Sequence, residues 1–258
     1  MKPTEQKSVQ ERIIKYAIEA GWRYVPRLDS DKRRSSSAPA YAKVTAGKKA
    51  TADKGTEDIY KSELYYRDIL NAKLREFNPW LPENYSFPIP TPKIEGNRQV
   101  LLALRGQSTA YDEKEKRERN VTVIDFANPG SNIFEVTDDF SISNSRYSNR
   151  QDIVFLINGI PVIDLECKNL ITAEGVDKAL DQIRRYHRES QELLAVEQGY
   201  LASEGMRLEY GVTWNTIRRN IFTWKSAFAK ATADKGDNDD VGNSKRKQPS
   251  WCRNISKK

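Results

Sequence analysis

Asp152, Glu166 and Lys168 punctuate one short stretch, NRQDIVFLINGIPVIDLECKN (residues 149–169), in which two apolar runs flank an Asn-Gly turn. Oxygen ligands from one or two carboxylates, completed by water and a phosphate, are what Mg²⁺ prefers. A cation so held stabilises charge on a phosphodiester and acidifies a water. A neighbouring lysine orients the nucleophile and stabilises developing negative charge. The run from Ile163 to Lys168 alternates, so a strand there sets Ile163, Leu165 and Cys167 on one face and Asp164, Glu166 and Lys168 on the other. An exposed strand face with an ordinary Glu-Lys pair has the same pattern, and Glu5-Gln6-Lys7 matches the bare Glu-x-Lys spacing. The complete order of Asp, apolar strand, turn, apolar strand and Glu-x-Lys is much rarer.

The turn decides whether Asp152 joins that polar face. A strict two-residue Asn158-Gly159 loop pairs 157 with 160 and sends Asp152 to the face away from Glu166. A three-residue loop, or an equivalent bulge, brings 152 opposite 166. It also starts the return strand at Pro161, where a missing N–H is best tolerated. The longer turn or its bulged equivalent is therefore expected.

The elements around the hairpin follow from periodicity. A capping-box pattern at Ser8 to Glu11 and apolar residues Val9, Ile13, Ala17 and Ile18 predict a helix over 8–21 that stops at Gly21. Residues 58–77 carry a second helical stripe ended by NPWLP, and a connector rich in proline follows. Val100–Leu104, Val121–Phe126 and Ile133–Ile142 read as strands, with RGQSTAYDEKEKRERN as a charged excursion between the first two. Glu174 to about Leu194 is predicted helical with Val176, Leu180 and Ile183 buried, and a closing pair of strands lies in 193–214. Gln182 and Tyr186, four residues apart, share a face of that helix distinct from the Leu180 and Ile183 stripe. On spacing alone, a solvated polar face accounts for them.

Composition bounds the rest. Of 258 residues only 38% are apolar, below the roughly 45–50% of globular domains, so part of the chain stands outside a core. Leu28 to Asp58, including RRSSSAPA, has no apolar periodicity and reads as a loop or disordered insert, as does the tail after Lys225. The heptapeptide KATADKG occurs in both, at 49–55 and 230–236, and looks like inserted sequence rather than a solenoid repeat. Lys and Arg number 43 against 36 Asp and Glu, and the net charge of +7 suits polyanionic partners. Two cysteines, Cys167 and Cys252, supply neither a disulfide framework nor a C-x-x-C metal pair, which points to a reducing cytoplasm. The single histidine, His187, excludes Ser-His-Asp catalysis and His-rich zinc sites and reads as a surface residue. The longest apolar stretch is too short to span a bilayer, so no membrane role is expected.

The hairpin resembles the nuclease motif of the PD-(D/E)xK superfamily, specifically the N-terminal nuclease domain of the R subunits of type I restriction enzymes. GWRYVPR, LREFNPWLP and DQIRRYHR, the last carrying a Gln-x-x-x-Tyr motif as Gln182 and Tyr186, extend the similarity from about residue 5 to Trp224. The resemblance implies an α/β (α+β) restriction-endonuclease-like fold, with a mixed central sheet flanked by helices. That domain would occupy 1–225, with 28–57 as an insert and 226–258 as a basic tail outside the family pattern.

It further implies Asp152 and Glu166 as Mg²⁺ ligands, Lys168 as the catalytic lysine, and Gln182 and Tyr186 as support beside the site. Glu11, on the first helix, is a further acidic candidate, because helix-borne acids occur in the superfamily. The implied activity is endonucleolytic cleavage of double-stranded DNA as a type I site-specific deoxyribonuclease, in company with methylation and specificity subunits. Full-length members use ATP, but no G-x-x-x-x-G-K-[ST] loop occurs in this sequence, so no ATP site and a truncated R subunit are expected. The competing readings are an inactive, basic nucleic-acid-binding remnant and a standalone nuclease of another restriction or repair system. Gln151 stands where the family's proline usually precedes the motif aspartate, a departure expected to bear on turn geometry.

Overall fold

The computed structural model describes residues 5–35, 63–83, 85, 87, 94–143, 146–168, 175–205 and 207–224. Most of the expected insert, both KATADKG copies and the 226–258 tail lie outside these residues.

The chain runs α1 (Glu5–Glu19), β1 (Arg23–Val25), α2 (Arg27–Ser35), α3 (Arg67–Phe77), α4 (Ile94–Leu104), β2 (Thr109–Asp112) and β3 (Arg117–Asn120). It continues through β4 (Phe134–Ser143), β5 (Ser148–Ile157), β6 (Ile160–Cys167), α5 (Gly175–Glu189), α6 (Gln191–Val196), β7 (Gly199–Ser203), β8 (Leu208–Val212) and β9 (Phe222–Thr223). Seven strands form one sheet in the order β1-β4-β5-β6-β7-β8-β9, while β2 and β3 pair separately. The β1–β4 and β6–β7 pairs are parallel and the others antiparallel, so the expected mixed sheet flanked by helices is observed.

Strand alternation gives each face of the sheet its own helices. Val136, Ile153, Leu165 and Cys167 face Val9 and Ala17 of α1. On the other face Val154 and Leu156 pack with Tyr66, Phe140, Ile142 and Leu193, while Tyr200 and Ala202 lie beneath Val176, Ala179, Leu180 and Ile183 of α5. In the β6–β7 register Asp164 pairs with Tyr200 and Glu166 with Ala202, which puts both carboxylates on the α5 face.

Several local expectations are corrected. The first residues of the expected insert are helical: α2 buries Ser30 and Arg34, and the Arg34 guanidinium lies 3.9 Å from the Phe140 ring centroid while donating to the Ser141 carbonyl. In the second helical stretch, Glu63 to Tyr66 precede the helix, which starts at Arg67. Val100–Leu104 is the end of helix α4, with Val100, Ala103 and Leu104 buried at helical spacing. The charged excursion contains the β2–β3 hairpin. The predicted helix over 174–194 breaks at Ser190 into α5 and α6.

Val121–Phe126 is not a strand, although Val121 and Val123 are buried. Asparagine side chains stand in for a neighbouring strand's backbone. Asn78 Nδ2 donates to the Thr122 carbonyl at 2.7 Å and its Oδ1 accepts from Thr122 N at 2.8 Å. Asn132 makes the same two-way pairing with Asp125, and Asn158 Nδ2 donates to the Val123 carbonyl.

Candidate active site on the β5–β6 hairpin

The hairpin turn contains only Asn158 and Gly159, both at positive φ as a tight primed turn requires. It is deeply set: a Cβ on Gly159 would lie 2.6 Å from the Tyr66 carbonyl oxygen, and the Asn158 side chain binds Ile133 N, the Val123 carbonyl and Asn132. Ile157 pairs with Ile160 and Leu156 with Pro161, then the register shifts so that Phe155 pairs with Ile163 and Ile153 with Leu165. The turn is thus short, and the bulge achieves what a longer turn would have done. One residue beyond the Ile153–Leu165 pair, Asp152 stands opposite Glu166. β4 has its own irregularity at Asp139, whose φ is +49°; lying between the pairs Asp138–Ile153 and Phe140–Gln151, it stands across from Asp152.

Asp152 and Glu166 are buried, as is Asp164, so the polar face of β6 is not a solvated one. Asp152 Oδ2 accepts from Cys167 N at 2.8 Å, which fixes its carboxylate across the strand pair. Neither oxygen of Glu166 nor of Asp164 has a donor at full hydrogen-bond geometry, although Tyr186 and Gln151 lie near enough to oppose the rise in pKa of Glu166 and Asp164 respectively. Lys168 Nζ lies 3.6 Å from Glu166 Oε2 and donates to Gln182 Oε1 at 2.6 Å. Gln182 Nε2 donates to the Tyr186 hydroxyl at 2.6 Å, and that hydroxyl donates to the Arg150 carbonyl at 2.5 Å. A chain of hydrogen bonds therefore runs from Lys168 through α5 back to β5, two residues before Asp152.

The structure brings Asp152, Glu166, Lys168, Gln182 and Tyr186 together, and buries Tyr186 where a solvated face was the simpler reading of its spacing. Glu11 is exposed on α1, whose buried side meets Leu165 and Cys167, the opposite face of β6. No described contact ties it to the cluster. His187 is half-buried, and burial holds its imidazole down at about 4.

Two further acids emerge. Asp164 was visible on the polar face but had no role. Glu197, fully buried just before β7, accepts from Gln151 Nε2 at 3.0 Å. Gln151 thus lies within β5 and supports a buried acid rather than shaping a turn. The one sequence signal for Glu197 is an acid closing the apolar run Leu193–Val196. Burial raises Asp164 well above the usual carboxylate range, reinforced by Glu197 and Asp152. Burial likewise raises Glu166, with Asp164 and Asp152 adding to it and Lys168 opposing. Glu197 is pushed up to about 8, again chiefly by burial.

Six buried oxygens, two each on Asp164 and Glu166 and one each on Glu197 and Gln151, lack a donor at full hydrogen-bond geometry. Buried acceptors are normally satisfied, so this face is short of positive charge and suits a cation. Among the described residues, no group of three or more His, Cys, Asp or Glu side chains is arranged to hold a metal. The two facing carboxylates, Asp152 and Glu166, are the groups here that could hold a divalent cation, with waters completing its shell.

Residues 2–223 match the family model described as type I restriction enzyme R protein N terminus. The chain is similar to the putative type I restriction enzyme MjaIXP endonuclease subunit of Methanocaldococcus jannaschii, 24% identical over 211 residues that cover 76% of this chain and 20% of that protein. It is also similar to the type I restriction enzyme HindI endonuclease subunit of Haemophilus influenzae, at 26% identity over 58% of this chain and 15% of the relative. The EcoprrI endonuclease subunit of Escherichia coli is 28% identical over 45% of this chain and 37% of its own length. The chain thus spans well under half the length of these relatives.

Proposed function

The chain belongs to the family of type I restriction enzyme R protein N termini, and we propose that it is a DNA-cleaving domain that hydrolyses phosphodiesters with Mg²⁺ held at Asp152 and Glu166. The observation that supports this most directly is the facing of two buried carboxylates across β5 and β6, with Lys168 3.6 Å from one of them and no other described cation within ion-pair distance of Glu166. When bound, Mg²⁺ supplies positive charge for the phosphodiester and lowers the pKa of a water.

The protein's own groups do the rest. In hydrolysis a water oxygen adds to phosphorus, one P–O ester bond breaks, and the leaving oxygen takes up a proton. Lys168, its ammonium aimed by Gln182, orients that water and stabilises the negative charge that develops on the phosphate. Gln182 is itself held by the Tyr186 hydroxyl, so the lysine is positioned by α5 rather than left to its own flexibility. Asp164 and Glu197, equally buried beside Asp152 and Glu166, add acidic groups and no positive charge.

The substrate is double-stranded DNA in the cytoplasm, where methylation and specificity subunits are the partners of the assembled enzyme. No helix among the described residues is long and apolar enough to cross a membrane. The test is Mg²⁺ titration calorimetry beside plasmid nicking, on the parent and on Asp152→Ala, Glu166→Ala and Lys168→Ala. The two carboxylate variants lose Mg²⁺ binding and nicking together, whereas Lys168→Ala binds Mg²⁺ as well or better and loses nicking. Carboxylate variants that bind Mg²⁺ and nick like the parent would sink the reading.

A further inference from the structure

A buried cluster of acids offers a phosphodiester no cationic anchor beyond Lys168, so a strand that reaches it must be held by cations around it. Resting on the nuclease reading, we propose that Arg150 and Arg185 grip backbone phosphates of one DNA strand on either side of the Asp152–Glu166 site.

Tyr186 is the hinge between the two arginines. Its hydroxyl donates to the Arg150 carbonyl at 2.5 Å, and the Arg185 guanidinium carbon lies 5.4 Å from its ring centroid. Arg150 belongs to β5, two residues before Asp152, and Arg185 to α5, three residues after Gln182. Asn149 and Gln151 point toward Ser190 and Glu197, so alternation turns the Arg150 side chain to the other side of β5, toward Asp139, while Arg185 projects from α5. Their side chains are 54% and 48% exposed, within reach of a ligand in solution.

Each guanidinium makes its carboxylate contact through Nε. Arg150 Nε lies 3.2 Å from Asp139 Oδ1, and Arg185 Nε lies 3.6 Å from Glu189 Oε2. An arginine steadied by its inner nitrogen presents the outer amino groups that suit a phosphate. On the strand side the fold accepts an unusual backbone to achieve this. Asp139 keeps its left-handed φ inside β4, opposite Asp152, and its carboxylate faces both Arg150 and Arg27, the latter at 3.8 Å. Near the helix-side arginine, Arg184 is taken by Asp181 at 2.7 Å, leaving Arg185 as the one of the pair beside Tyr186.

The test is fluorescence anisotropy of the full chain with a short labelled DNA duplex across a salt series. Arg150→Ala and Arg185→Ala are compared with Arg117→Ala on the separate β2–β3 hairpin, and thermal melts confirm that each variant is folded. Loss of one phosphate contact lowers the slope of log affinity against log salt by about 0.9. The grip predicts that loss for each site variant, about twice that for the double variant, and none for Arg117→Ala. Arg150→Lys keeps the charge and restores the slope. Unchanged slopes in the site variants, or an equal fall for Arg117→Ala, overturn the grip while DNA binding itself stands. A parent chain that does not bind the duplex overturns the nuclease reading and the grip with it.

Discussion

Glu166 on β6 and Glu209 on β8 are both fully buried in the same sheet, separated by one strand, and the fold treats them in opposite ways. Glu209 is clasped by Arg207 and Arg218, the latter donating through Nη2 at 3.0 Å as well as through Nη1. Burial alone would raise its pKa, but Arg218 and Arg207 outweigh burial and leave it low. Glu166 has a single ammonium at 3.6 Å, shares its surroundings with Asp152 and Asp164, and is driven upward. A carboxylate that serves only the sheet arrives with its counter-charge from the same chain. Glu166 lies among other acids with one lysine nearby, whereas Glu209 sits beside two half-exposed arginines, and that contrast supports the hairpin rather than the β8 end as the cation site proposed above.

The sharpest way to break this contrast is to compare function. Glu166→Ala should lower cleavage by about 10³-fold or more, since the charge stabilisation from a bound cation is worth several kcal/mol and each 1.4 kcal/mol is tenfold. Glu209→Gln should leave nicking near the parent rate. Equal losses in a plasmid-nicking assay would mean that the two sites do not differ in kind.

Stability should separate the regions in the other direction. Glu209→Gln removes charge-assisted hydrogen bonds but leaves two half-exposed arginines in water, so denaturant melts should show a loss of about 1–3 kcal/mol. Asp164→Asn keeps the shape of an acid that burial drives toward its neutral form, so it should change stability little without metal. Destabilisation of Asp164→Asn beyond that of Glu209→Gln would contradict the assignment.

A pH series sharpens the same point. With Glu197 raised from 4.5 to about 8, the folded chain holds a proton that the unfolded chain releases. The contribution is whole below about 4.5 and is lost as pH rises to about 8, at a rate approaching 1.4 kcal/mol per pH unit. Melting temperature should therefore fall across that window for the parent, and Glu197→Gln should make the fall shallower, with the raised Asp164 and Glu166 contributing the remainder. An unchanged slope would show that Glu197 is ionised in the fold. The smallest effect belongs to Tyr186→Phe, which keeps the ring and loses the hydroxyl between Gln182 and Arg150. A loss of about 0.5–1.5 kcal/mol in melts, with nicking reduced but present, is expected.

Much of the hairpin was legible because its signals are local. The Asn-Gly turn and the alternation of β6 each lie within a few residues, whereas the spacing of Gln182 and Tyr186 on α5 suits a solvated face and only the family resemblance singled them out. Pro161 pointed to a shifted register even though the shift is made by a bulge and not by the turn. What sequence did not reveal depends on distant partners. The apolar run at Val100–Leu104 suits strand or helix, and burial at helical spacing decides for helix. Val121 and Val123 are buried as in a strand, but asparagines 78, 132 and 158 take the place of one. Glu197 reaches the acidic cluster only through the crossover from β6 to β7 by way of α5 and α6, and no motif marks it.

The pairing of β1 with β4 has a consequence for how the chain can vary in length. Arg23 meets Glu135 across 112 positions, whereas β4, β5 and β6 follow one another through short turns. Closing an already long loop grows costlier only as the logarithm of its length, with each doubling adding about 0.6 kcal/mol. Extra residues between α2 and α3 therefore weigh little on folding, while one residue added between β5 and β6 would turn Asp152 away from Glu166.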